Sequence, residues 1–185
     1  TFKEALQKAI EKNPGLAEAY NLQGVILFQE KNYPEAEAAY CKAIELKPSL
    51  YTSQLNLGAV LMEQGVWDKA LAPTDKAIAA QPDSSAGYLQ RGIIQAALAQ
   101  PAKAKSDFSK AIQLTPKEIN AYYNRGNILF QEENINLKKI ILLMLKSKTA
   151  CQPIKKRMRF TPIIFTAFFN ALRTHILFII QSQTY

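Results

Sequence analysis

Pro14, Pro48, Pro82 and Pro116 stand 34 residues apart, and Gly24, Gly58, Gly92 and Gly126 keep the same interval. A fixed period of that length is the signature of stacked helix–turn–helix units. Each hairpin of such an array buries only part of its apolar surface by itself, so its neighbours must stack on it. The result is an extended surface rather than one enclosed pocket. This period constrains the chain more than its composition does.

Set on that period, the chain reads as a half unit at 1–16, three units at 17–50, 51–84 and 85–118, and the start of a fourth at 119–133. Each unit predicts a helix A, a short turn, a helix B and a proline stop. In the first, helix A covers roughly 16–30 and helix B roughly 34–46. Pro34 suits the first turn of helix B, where a missing N–H costs nothing. Pro48 ends the unit, because proline disfavours helical geometry in the residue before it.

Small residues recur where two helices have to touch. Gly24 returns as Gly58, Gly92 and Gly126; Ala36 as Ala70 and Ala104; and Ala43 as Ala77, Ala111 and, one period earlier, Ala9. A glycine inside a helix costs about 1 kcal/mol relative to alanine. Repeating that cost is explained if a larger side chain would push packed helices apart. The core is expected from Leu27, Tyr40, Ile44, Leu61, Ile78, Phe108 and Ile112. Pro73 falls inside a helix B and predicts a kink or local opening there. Gln54 stands where Tyr20, Tyr88 and Tyr122 recur, and Gln95 replaces an apolar residue, so the middle of the array is expected to be its softest part.

The net charge of +8 would suggest a polyanion partner if it were spread over the chain, and it is not. Residues 1–133 hold 14 basic against 15 acidic residues, a balance of −1, whereas 134–185 hold nine basic residues and no acid. The basic run Lys155, Lys156, Arg157, Met158, Arg159 is short and belongs to no nucleic-acid module, so no nucleic acid is expected as partner. Cys41 and Cys151 form no metal-spaced or disulfide pair. His175 is the only histidine, and no phosphate loop, nucleophile elbow or HExxH pair appears. Asp107 and Lys110 read as surface residues. No enzyme, cofactor or metal is read from these residues.

The residues that repeat also carry a likeness. Tyr20, Gly24, Tyr33, Ala36, Tyr40, Ala43 and Pro48 in the first unit resemble a tetratricopeptide (TPR) repeat. So do Leu57, Gly58, Trp67, Ala70, Ala77 and Pro82, and then Tyr88, Gly92, Ala104, Phe108, Ala111 and Pro116. With 5–14 and 121–130 the resemblance covers residues 1–133. It implies an all-α, right-handed superhelical solenoid of antiparallel helix pairs, about three and a half repeats long. It also implies a concave groove that grips a peptide or a helix.

In that family the groove is lined by helix A residues facing away from helix B. By register these are Asn21, Val25 and Phe28 in the first unit and Leu55, Asn56, Ala59 and Met62 in the second. The third contributes Leu89, Gln90 and Ile93, and the fourth Tyr123, Asn124, Asn127 and Phe130. Amides can pair with a peptide backbone, while the apolar members can take its side chains. Relatives that hold the acidic C-terminus of chaperones place lysines and arginines on successive A helices. Here Asn56 and Asn124 fall at an asparagine position of that pattern, but Asn21, Val25, Ala86 and Gln90 occupy the other sites. The sequence therefore argues against a carboxylate clamp and for a neutral or apolar bound segment.

The stretch 134–185 leaves the repeat pattern. Lys138 stands where Ala36, Ala70 and Ala104 stand earlier, and residues 140–145 are six apolar residues in a row. Three readings of it stay open: an untemplated or out-of-frame end, a membrane anchor over 160–181, and a nonstandard cap in which 137–146 takes the place of helix B. An anchor fits the ~20-residue length of a span, although Asn170, Arg173 and His175 lie within it. Thr1 falls at the start of a helical pattern, and the chain reads as a piece of a longer protein. The expectation is a noncatalytic cytoplasmic scaffold or adaptor that binds a protein or peptide. The alternatives are the regulatory arm of a larger enzyme and an adaptor membrane-associated through 160–181.

Overall fold

Proline and glycine punctuate the backbone, and apolar residues at helical spacing fill the intervals. The computed structural model describes residues 1–146, which form eight α-helices and no strand. They are α1 (Phe2–Lys12), α2 (Ala17–Gln29), α3 (Tyr33–Leu46), α4 (Tyr51–Glu63), α5 (Trp67–Ala80), α6 (Ser85–Ala97), α7 (Pro101–Leu114) and α8 (Ile119–Lys146). Pro34 and Pro101 lie in the first turns of α3 and α7, where proline pre-sets the helical φ. Thr1 and Glu4 close a reciprocal capping box at the start of α1, which satisfies two otherwise orphaned donors.

Backbone contacts divide the chain into two units, Thr1–Glu132 and Glu133–Tyr185. In the first, helices pair as α2 with α3, α4 with α5 and α6 with α7. Each pair then meets the next through α3 with α4 and α5 with α6, and consecutive A helices touch as α2 with α4 and α4 with α6. Loops this short join antiparallel neighbours. The all-α stacked arrangement expected from the period is the one observed.

The turn from helix A to helix B is built the same way three times. Lys31, Gly65 and Ala99, which are 34 residues apart, adopt positive φ of 60°, 75° and 56°. The next residue in each case donates its N–H five positions back, Asn32 to Leu27, Val66 to Leu61 and Gln100 to Gln95, at 2.8–2.9 Å. This is the left-handed helix stop that satisfies terminal carbonyls. Glycine supplies it once; lysine and alanine adopt it at a steric cost.

The recurring glycines behave as contact points in three of four cases. A Cβ on Gly24 would lie 2.6 Å from the Tyr40 ring, one on Gly92 2.5 Å from the Phe108 ring, and one on Gly58 2.6 Å from the Thr74 hydroxyl. The fourth differs, since Gly126 has nothing within 4 Å of that position. The reason is α8, which runs 28 residues without a turn. The fourth helix A therefore continues through the place where the turn to a helix B was expected. Neither a glycine at position 133 nor a proline at 135 or 136 interrupts it.

Three buried clusters make the core. Ala36, Tyr40 and Val60 form one, Leu61, Ala70 and Ile94 the second, and Ala104, Phe108, Ala111, Ala121 and Ile128 the third. Two expectations need correction. Pro73 does not open its helix: α5 is a continuous 14-residue helix, with Pro73 buried. The carbonyl that loses its donor belongs to Lys69, an exposed residue, while the Thr74 hydroxyl donates to the Ala70 carbonyl (2.8 Å). Asp107 is not a surface residue either, being only 6% exposed.

The candidate anchor at 160–181 lies outside the described residues, as does the basic run. Among the described residues no helix is long and apolar enough to cross a membrane.

Candidate functional site

Because α2, α4 and α6 stack side by side, residues at the same register on each form a ladder. A short polar network ties its first rungs. Asn21 Oδ1 accepts from Ser53 Oγ (3.0 Å) and from Asn56 Nδ2 (3.3 Å). Gln90 Nε2 donates to the Leu55 carbonyl (3.0 Å), and its Oε1 is buried with no partner among the described residues. These bonds cross from one repeat to the next, so they fix the rungs relative to one another.

The apolar rungs share that packing role. Val25 and Phe28 are half-buried against the Ala36–Tyr40–Val60 cluster, and the Phe28 ring sits 5.6 Å from that of Tyr33. Met62 leans on the Leu61–Ala70–Ile94 cluster, and Leu89 and Ile93 on the third cluster. Leu55 and Ala59 are half-buried as well. On α8 the ladder opens: Tyr123 is 67% exposed, Phe130 66%, and Asn127 is also exposed. Asn124 bonds its own helix through Nδ2 to the Asn120 carbonyl (2.9 Å). A depression of about 680 Å³ adjoins Val25 at the N-terminal end, lined also by Phe2, Leu22, Ile26 and Gln29.

None of the 14 ladder residues is charged. Arg91, next to Gln90 in sequence, is spoken for elsewhere. Its Nε and Nη2 bind both oxygens of Asp107 (2.7 and 2.8 Å), and Nη1 binds Asp75 (2.8 Å). The guanidinium carbon lies 5.6 Å from the Tyr88 ring centroid. These hydrogen bonds to Asp107 hold the guanidinium's pKa above its ordinary range. Reading the sequence missed this staple of α5, α6 and α7, although Tyr88 and Arg91 recur together as Tyr122 and Arg125. It also missed the small, buried register Ala19, Ser53, Gly87 and Ala121, which lets neighbouring A helices approach. Among the described residues no cluster of three or more His, Cys, Asp or Glu could hold a metal ion.

Stacked antiparallel helix pairs with a repeating contact glycine and a repeating left-handed stop define a helical-repeat solenoid. Family profiles described as tetratricopeptide repeat match residues 5–38 and 85–118, and one described as TPR repeat matches 24–65. The chain belongs to the tetratricopeptide repeat family.

Solved structures agree on the fold. YrrB, described as a TPR protein with an unusual peptide-binding site, is 26% identical, with a TM-score of 0.64 over 71% of this chain and 68% of that one. The first TPR of Spaghetti (RPAP3), solved with the HSP90 peptide SRMEEVD, is 21% identical, with a TM-score of 0.62 over 63% of this chain and 93% of that one. MamA from Desulfovibrio magneticus is 21% identical, with a TM-score of 0.65 over 78% and 84%. No curated protein sequence matches the chain.

Proposed function

We propose that residues 1–133 are a noncatalytic protein-interaction module whose A-helix ladder holds an extended peptide or a helix. The observation that carries the reading is the ladder itself: uncharged, cross-tied between repeats by Asn21, Ser53 and Asn56, and ending in the exposed rings of Tyr123 and Phe130. A pre-tied surface loses little entropy on binding, which favours affinity from few contacts. YrrB and Spaghetti, which share the fold, are described with a peptide-binding site and a bound peptide. The bound segment is neutral or apolar, because the ladder has no cation to receive a carboxylate.

Random linear dodecapeptides displayed on phage and selected on the immobilised full chain test this. Enriched peptides should be apolar and neutral, and Tyr123→Glu or Met62→Glu should abolish their binding. The synthetic peptide SRMEEVD should not compete. Enrichment no better than on bare support, or binding indifferent to both variants, sinks the proposal. Strong binding of SRMEEVD would keep the module and overturn its selectivity.

A further inference from the structure

The first part of α8 carries a helix A surface with no helix B upon it among the described residues. Tyr122 and Leu129, in register with Tyr20 and Leu27, are 47% and 49% exposed. Gly126 has open space where Gly24 and Gly92 meet an aromatic ring. An apolar face alone names no occupant, but Arg125 does.

Arg125 stands 34 residues after Arg91 and repeats its surroundings. Its guanidinium carbon lies 5.7 Å from the Tyr122 ring centroid. Its Nη1 donates to Ser109 Oγ (3.1 Å), and Ser109 is in register with Asp75. What Arg91 has and Arg125 lacks among the described residues is the forked carboxylate of a helix B, the part played by Asp107. In register with Asp107 stands Ile141, and in register with Ala104 stands Lys138. Residues 134–185 contain no Asp or Glu, so none of them holds a side-chain carboxylate for this place.

We propose that this face of α8 takes, in trans, an amphipathic helix that presents a single aspartate. Its pattern is that of α7: a small residue, an aspartate three positions on, an aromatic next to it and a second small residue, as in Ala104, Asp107, Phe108 and Ala111. The aspartate forks onto Arg125 as a charge-assisted bidentate pair. The aromatic ring fills the space over Gly126, and the small residues allow close approach. The surface lies around Gly126 and is separate from the ladder.

The probe is a fluorescein-labelled peptide of the α7 sequence, Pro101–Leu114, titrated by anisotropy into the full 185-residue chain. The same peptide carrying Asp107→Asn is run beside it. The aspartate peptide should bind saturably, and the asparagine peptide about tenfold more weakly. Arg125→Gln should erase that preference, and Gly126→Phe should weaken both peptides by closing the space. Asn56→Ala, on the ladder, should change neither. No saturable binding, equal affinity for the two peptides, or a preference that survives Arg125→Gln overturns the proposal. The comparison of the two peptides on the unaltered chain depends on no variant folding.

Discussion

Ala99 and Lys31 sit in a conformation that alanine and lysine disfavour, with φ of 56° and 60°. Gly65 does the same task in the second turn without that steric penalty. Ala99→Gly and Lys31→Gly should each raise stability by about 0.5–1 kcal/mol, read as a higher urea midpoint at unchanged slope. Tyr40 makes a different residue-scale statement. Burial pushes its phenol up to about 12, whereas an unfolded tyrosine titrates near ~10. Below about pH 10 both states keep the proton and the fold retains the full contribution. As pH rises through the folded value, the unfolded chain ionises first and that stability is lost. Urea midpoints at about pH 9 and about pH 11 should therefore fall less for Tyr40→Phe than for the unaltered chain. The contact glycines at 24, 58 and 92 were legible in the sequence, because only a steric reason justifies repeating an unfavourable residue. The stops at Lys31 and Ala99 were not, because neither residue advertises positive φ. Asp107 misled for another reason: its partner Arg91 lies a helix away in sequence, and a lone aspartate in a helix reads as solvated.

At the scale of elements, Pro73 tests how a helix absorbs a missing donor. α5 stays whole around it, and the carbonyl that loses its donor belongs to exposed Lys69. Pro73→Ala should restore that hydrogen bond and raise stability by about 1–3 kcal/mol. Ala39, in register with Pro73, is buried in the first pair, so the site accepts alanine. Helix existence was legible nearly throughout, since each unit repeats its apolar spacing and its proline stop. The length of α8 was not. The first and third turns are followed by Pro34 and Pro101, and the second contains Gly65, but positions 132–136 read Glu, Glu, Asn, Ile, Asn. With no proline or glycine to break it, helical hydrogen bonding propagates through the place of a turn. The candidate ladder was legible only as a register: its amides and rings could be placed on the A helices, but their bonds to one another could not.

Among the described residues of the first unit each helix pair touches only its neighbours, so stability is close to a sum of local and nearest-neighbour parts. Such an array opens in pieces rather than all at once. Amide hydrogen exchange should be slowest in α6 and α7, where Phe108 fills the place opposite Gly92 and Arg91 staples three helices. It should be faster in α4 and α5, where Thr74 and Gln90 stand opposite Gly58 in place of an aromatic ring. It should be fastest in α1, which among the described residues meets only α2. Equal protection across all three pairs would count against this picture. The nearly balanced charge of 1–133 keeps long-range repulsion small, so this ranking should survive a change of salt.

The three left-handed stops carry a consequence for how such a protein can change over generations. Each hairpin is closed by one residue's handedness, reinforced by a proline or a glycine close by, and not by the rest of its unit. Gaining or losing one such punctuation mark converts two short helices into one long one, or the reverse, while the neighbouring pairs keep their contacts. α8 has the form expected where that mark is missing. The length of an array in this lineage is therefore open to single-codon revision.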